Sequence, residues 1–94
     1  MKLIWSRAAV RGRERQIDYI AERNPDAAAR LEQRIIDATD QLIDHPRIGR
    51  AGRVSGTQEL VVARTPYIVI YEIEGDAVRI IRVLHSAQRW PPVN

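Results

Sequence analysis

Residues 67–85, YIVIYEIEGDAVRIIRVLH, constrain the fold more than any other stretch. Two runs rich in Val, Ile and Tyr flank Gly75–Asp76, a pattern that predicts two strands, 67–74 and 77–85, joined by a tight hairpin turn. With Gly75 and Asp76 as the turn, Glu74 faces Ala77, Glu72 faces Arg79, Ile70 faces Ile81, Val69 faces Arg82 and Ile68 faces Val83. The Glu72–Arg79 match places opposite charges across the ladder and supports that register. One face of the hairpin then carries Val69, Tyr71, Ile73, Val78, Ile80 and Leu84. The other carries Ile68, Ile70, Ile81 and Val83, with Arg82 pointing away from Ile68 and His85. Both faces are apolar, so both need cover.

The first half of the chain has a different period. KLIW (2–5) reads as a short strand, and Ser6 as the cap of a helix running to about Arg23, with Gly12 a weak point near its start. NPD (24–26) restarts helix, with Asn24 as cap and Pro25 at the first helical position. Ala28, Leu31, Ile35, Ala38 and Leu42 then form a regular apolar stripe, and Pro46 stops the helix at Asp44–His45. QELVVAR (58–64) adds a strand. The expected fold is α+β in the order β-α-α-β-β-β, a helical hairpin packed on one face of a small antiparallel sheet. A chain of 94 residues makes this a single domain: 1–45 strand and helices, 46–57 a basic Gly/Arg loop, 58–94 sheet and C-terminal tail. Two helices cover one sheet face only, so the Ile68/Ile70/Ile81/Val83 face needs a protein partner, the 45–57 loop or the tail.

Charge narrows the function classes. The excess of +3 lies wholly in residues 47–94, and RIGRAGRVSG (47–56) sets Arg47, Arg50 and Arg53 at every third position among glycines. Such a loop suits a phosphate or carboxylate, although +3 is too small to argue for nucleic acid by itself. With no cysteine, disulfides and thiolate metal sites are excluded, and no histidine pair has ligand spacing, so no metal or cofactor is expected. No apolar run approaches the roughly 20 residues that span a bilayer, and MKLIWSRAAVRG does not read as a secretory signal, so a cytoplasmic protein is expected. His45 reads as a helix-end residue. His85, ending the last strand beside Ser86 and Gln88, reads either as an acid or base near neutral pH or as a strand-end group bonded to backbone. Trp90, before two prolines, is either a core plug or an aromatic anchor for a partner.

The runs YIAERNPDAAARLEQRI, PRIGRAGRVSGTQELVV and TPYIVIYEIEGDAVRIIRVLHSAQRWP resemble, in order and spacing, the ParE/RelE superfamily of bacterial toxins. VLHSAQRWP and the ELVV strand are the most specific parts. The resemblance implies the toxin of a type II toxin–antitoxin module of the plasmid-stabilization kind, held in a hetero-oligomer with a cognate antitoxin. That antitoxin's extended, partly helical tail would wrap the toxin, cover the surplus apolar face and meet Arg50 and Arg53. Two activities divide the superfamily. RelE-like members cut messenger RNA on the ribosome, and many carry an arginine where this chain has Ile68, in YIVIYEI. ParE-like members poison DNA gyrase and arrest growth with no chemistry of their own, and TPYIVIYEI with LHSAQRWP resembles that branch. On that reading Arg50, Arg53, Ile68, Ile70, Ile81, Val83, His85 and Trp90 bind target or antitoxin. On the nuclease reading His85 is the acid or base, with Arg64 and Arg82 on the phosphate. A third class keeps the fold and binds its partner without toxicity.

Overall fold

The helices of the computed structural model, which describes residues 1–92, start where their capping side chains dictate. After strand β1 (Lys2–Trp5), the Ser6 hydroxyl accepts the Ala9 N–H at 3.0 Å and opens α1 (Arg7–Ala21). The Asn24 side chain accepts the Ala27 N–H and opens α2 (Pro25–Asp44), with Pro25 and Asp26 in its first turn. The whole stripe Ala28, Leu31, Ile35, Ala38 and Leu42 is buried. Helix α1 stops at Ala21, two residues short of the expected end, because Arg23 and Asn24 N–H both turn back to the Ile20 carbonyl.

Five strands form one sheet in the order β1-β5-β4-β3-β2, with β2 (Arg50–Ala51), β3 (Gln58–Val61), β4 (Tyr67–Glu74) and β5 (Ala77–His85). The sheet is mixed, not wholly antiparallel, since β1 runs parallel to β5. A parallel pair needs a long crossover, and the helical hairpin together with the rest of the sheet supplies it. The two residues of β2, expected as part of the 46–57 loop, pair antiparallel with Gln58 and Glu59. Strand β3 ends at Val61, before the expected Arg64. Beyond it Val62 bonds to the Tyr67 carbonyl across a turn in which Arg64 takes φ 63° and the Thr65 hydroxyl accepts the Tyr67 N–H. The last two residues assigned to the tail, 93 and 94, lie outside the described residues.

The β4–β5 register follows the expected pairs from Glu74–Ala77 to Tyr71–Ile80 and then slips by one. Ile81 is the extra residue of a β-bulge. Its carbonyl is turned to the Ser6 hydroxyl (3.0 Å) and to Arg82 Nη1 (2.8 Å), so the cap of α1 also secures the bulge. Beyond the bulge every side chain changes face. Val83 pairs with Val69 and lies in the helix-covered core, 1% exposed, not on the outer face. Arg82 pairs with Ile70 and joins Ile68 on the outer face, while His85 pairs with Tyr67 on the helix side. These three positions reverse the expected arrangement, as does Leu84, which pairs with Ile68.

The outer face is not left open either. Ile70 is 1% exposed and Ile68 9%. Trp90 sits with its ring 5.7 Å from the Arg82 guanidinium carbon, and its carbonyl accepts from Arg53 Nη1 at 3.4 Å. Loop and tail therefore share the outer side with these isoleucines, and the chain meets much of that need for cover itself.

Candidate functional site

The arginine loop closes on an acid from its own chain. Glu59 stands on β3 opposite Arg50, with its side chain 1% exposed. One carboxylate oxygen accepts from Arg50 Nη2 at 3.2 Å; the other accepts the Arg53 N–H at 3.0 Å and lies 4.0 Å from Arg53 Nε. Behind the loop the Tyr71 hydroxyl donates to the Pro46 carbonyl (2.7 Å) and accepts the Gly49 N–H (2.9 Å). The fit leaves no room for a side chain at Gly49 or Gly52. A Cβ at Gly49 would stand 2.6 Å from the Tyr71 hydroxyl, and one at Gly52 would meet Thr57. Arg50 and Arg53 remain more than half exposed, so they can still face a partner, but their charge is already partly matched.

Burial pushes the Tyr71 phenol above its ordinary 10.0, against the opposing pull of the Gly49 N–H and Arg47, and burial pushes Tyr67 up as well. The unfolded chain therefore ionises first as pH rises through 10.0. Above that point the unfolded state holds fewer protons than the folded one, and stability falls until the folded phenols also ionise. Thermal melts from about pH 9 to about pH 12 are expected to show this decline, and Tyr71→Phe, less stable at neutral pH, is expected to show a shallower one.

A second site lies on the other side of the sheet. A groove of about 720 Å³ runs between α1 and the end of β5. Helix α1 contributes Ala8, Arg11, Arg15 and Tyr19; the strands contribute Tyr67, Arg82, Val83, Leu84 and His85. The helix comes nearest the strand at Gly12, where a Cβ would lie 3.4 Å from the Val83 carbonyl, within van der Waals contact. At one end Gln88 Oε1 accepts from both Gln16 Nε2 (3.1 Å) and the His85 N–H (2.7 Å). No acidic residue lines the groove. Sequence reasoning missed Arg11 and Arg15. Their signal was arginine at 7, 11 and 15, one helical face at intervals of four.

His85 borders this groove with one ring nitrogen engaged by backbone. Its Nδ1 accepts the Ala87 N–H at 3.0 Å, and its ring meets Tyr67 edge-on, with centroids 5.3 Å apart. With Nδ1 taken up by that N–H, Nε2 is the ring nitrogen that the Ala87 backbone does not engage. Of the other two residues of the nuclease reading, Arg82 also lines this groove, with its guanidinium against Trp90, whereas Arg64 lines a separate depression against α2, beside Arg34 and Asp37. Among the described residues no cluster of acidic or histidine side chains could hold a metal, and no helix is long and apolar enough to cross a membrane.

Comparison with known proteins matches this architecture. A family profile described as the ParE toxin of the type II toxin–antitoxin system, parDE, matches residues 3–90. The toxin Y4kP of Sinorhizobium fredii is 44% identical over 92 residues, covering 98% of this chain and 95% of that protein. Toxin RelE2 of Caulobacter vibrioides is 32% identical over 87 residues, covering 93% and 97%. Among solved structures, the chromosomal ParDE toxin–antitoxin system of P. aeruginosa superposes with a TM-score of 0.81 at 24% identity, over 90% of this chain and 95% of the matched one. That last likeness speaks for the fold.

Proposed function

The chain belongs to the ParE family of type II toxin–antitoxin toxins, and from that premise we propose that it arrests growth by binding DNA gyrase and is neutralised by a cognate antitoxin. The observation that carries this reading is that aliphatic Ile68 stands where the RNA-cutting branch commonly has arginine, with Arg64 away from the groove that His85 and Arg82 line. Cleavage by 2′-hydroxyl attack requires a base for that hydroxyl, an acid for the leaving oxygen and cations on the phosphate. His85 and Arg82 line one groove, but Arg64 lies in a separate depression, the Arg82 guanidinium packs against Trp90, and Ile68 is 9% exposed and supplies no charge. A missing preorganised charge stabiliser costs about 10²–10³ in rate, and a missing acid or base about 10²–10⁴ more. Binding to a protein target makes no such demand.

Purified protein is expected to inhibit supercoiling by gyrase and to leave cleaved DNA. Ribosomes programmed with messenger are expected to show no new cuts by primer extension. Cuts that vanish in His85→Ala would instead make the protein a RelE-like nuclease. Growth without arrest when the chain is expressed alone would leave the non-toxic, partner-binding class.

A further inference from the structure

We infer that the groove between α1 and β5 takes the sugar–phosphate backbone of single-stranded DNA, an assignment that draws DNA, rather than RNA, from the gyrase reading above. Charge comes first. Arg11 and Arg15 are exposed on the α1 wall, and Arg82 borders the groove from β5. No carboxylate lines the groove, and among the described residues none lies within 4.0 Å of the Arg11 or Arg15 guanidinium. Glu14 and Asp18 follow the two arginines at i+3, but neither is part of the lining. The arginine loop differs, because Glu59 already answers Arg50 and Arg53. A polyanion therefore gains more at the groove than at the loop.

The reachable surface is polar. Tyr67 and Val83 are buried at the base of the groove, so a ligand meets mainly the arginines, Tyr19, His85 and Gln88. Spacing agrees with a strand. Arg11 and Arg15 stand about 6 Å apart along the axis of α1, close to the step between successive phosphates of an extended strand. Each guanidinium offers paired N–H donors to phosphate oxygens. From Ala8 to Tyr19 the wall runs about 16 Å, room for about three nucleotides.

Tyr19 supplies the contact to a base. Its ring is 61% exposed at the end of the wall, with the Arg23 guanidinium carbon 4.3 Å from the ring centroid. Arg23 Nη1 also donates to the Tyr19 carbonyl at 3.4 Å, which holds the pair together. An aromatic ring backed by a guanidinium and open to water gives an unpaired base a face to stack on. In a duplex each base is already covered by its stacked neighbours. That selects the single strand.

The test measures binding of a labelled twelve-base oligothymidylate to the full chain by fluorescence anisotropy, from about 50 to about 200 mM salt. Arg11→Gln/Arg15→Gln is expected to stay folded, because both side chains are exposed. It is expected to bind at least about tenfold more weakly at the lower salt. Its slope of log K against log salt is expected to flatten by about 1.4, two phosphates at about 0.7 each. Tyr19→Ala is expected to bind about tenfold more weakly with the slope unchanged, and Tyr19→Phe to bind as wild type. Arg30→Gln, on an exposed part of α2, is expected to match wild type in both affinity and slope. Unchanged affinity and slope in the double variant would remove the groove assignment and leave the gyrase reading standing. A duplex of the same length bound as tightly as the single strand would overturn it, as would an oligouridylate bound more than about tenfold tighter. If the double variant loses affinity for the antitoxin yet keeps it for oligothymidylate, the groove is a protein seat and the inference is likewise overturned. If oligothymidylate binds as expected but supercoiling by gyrase is not inhibited, the gyrase reading falls while the groove keeps its strand.

Discussion

Val83→Asp is expected to unfold the protein at or near room temperature, while Ile81→Asp, two residues earlier in the same strand, leaves it folded. Val83 is 1% exposed in the buried cluster that holds Ala9, Val69, Leu31, Ile35 and Leu42, none of which can pair with a carboxylate. A carboxylate there must either ionise without a partner or remain protonated in an apolar site. Either course belongs to the small class of substitutions that cost above about 4 kcal/mol. A domain of this size has about 5–14 kcal/mol of stability in total, so the loss removes a large share. Ile81 is the bulge residue and only partly buried, and its carbonyl, not its side chain, makes the bonds to Ser6 and Arg82. Its replacement by Asp is expected to cost about 1–2 kcal/mol. Urea titrations of the two variants, followed by far-UV circular dichroism, check the contrast. Equal losses would mean that the register beyond Tyr71 is the unbulged one.

That pair of variants also marks where sequence reading stopped. Strands 67–74 and 77–85, both helix caps and the α2 stripe stand where local chemistry put them. Each depends on neighbours a few residues away. The bulge does not. Ile80, Ile81, Val83 and Leu84 are all aliphatic, so slipping the register by one exchanges similar side chains there, and the pattern holds a single mismatch, Arg82 set opposite Val69. What fixes the slip is Ser6, 75 positions distant, holding the Ile81 carbonyl. The consequence reached the site: it moved Val83 inward, put Arg82 beside Ile68 and Ile70, and brought His85 to Tyr67. The groove escaped notice for a similar reason. The spacing of Arg11 and Arg15 could be read, but not the strand they face, since that is decided by the packing of α1 on β5 at Gly12.

The arginine loop yields the other large effect. Glu59→Ala is expected to cost about 2–3 kcal/mol and to loosen the loop and the tail together. The carboxylate accepts the Arg53 N–H and Arg50 Nη2 while its side chain is 1% exposed. Removing one member of a fully buried pair costs about 3–5 kcal/mol. Here both guanidiniums are more than half exposed and regain water when the acid is gone, so a smaller figure applies. What water restores less well is the Arg53 N–H, part-buried beside β3. Glu59→Gln keeps an oxygen for that N–H and is expected to lose only about 1 kcal/mol. The tail follows because Arg53 also donates to the Trp90 carbonyl. Once Arg53 is free of Glu59, Trp90 is expected to spend more time in water, read as a red shift of its fluorescence in a Trp5→Phe background. Glu59→Leu separates stability from placement. A leucine supplies apolar volume between Ile70 and the loop and can recover much of the folding energy, as replacements of buried ion pairs often do. It cannot orient a guanidinium. If Glu59→Leu melts near wild type yet shows the same Trp90 shift as Glu59→Ala, the acid serves to position Arg50, Arg53 and the tail on the outer face. If the Trp90 emission stays at its wild-type wavelength, the tail is held by Arg82 alone, and the loop has no part in covering that face.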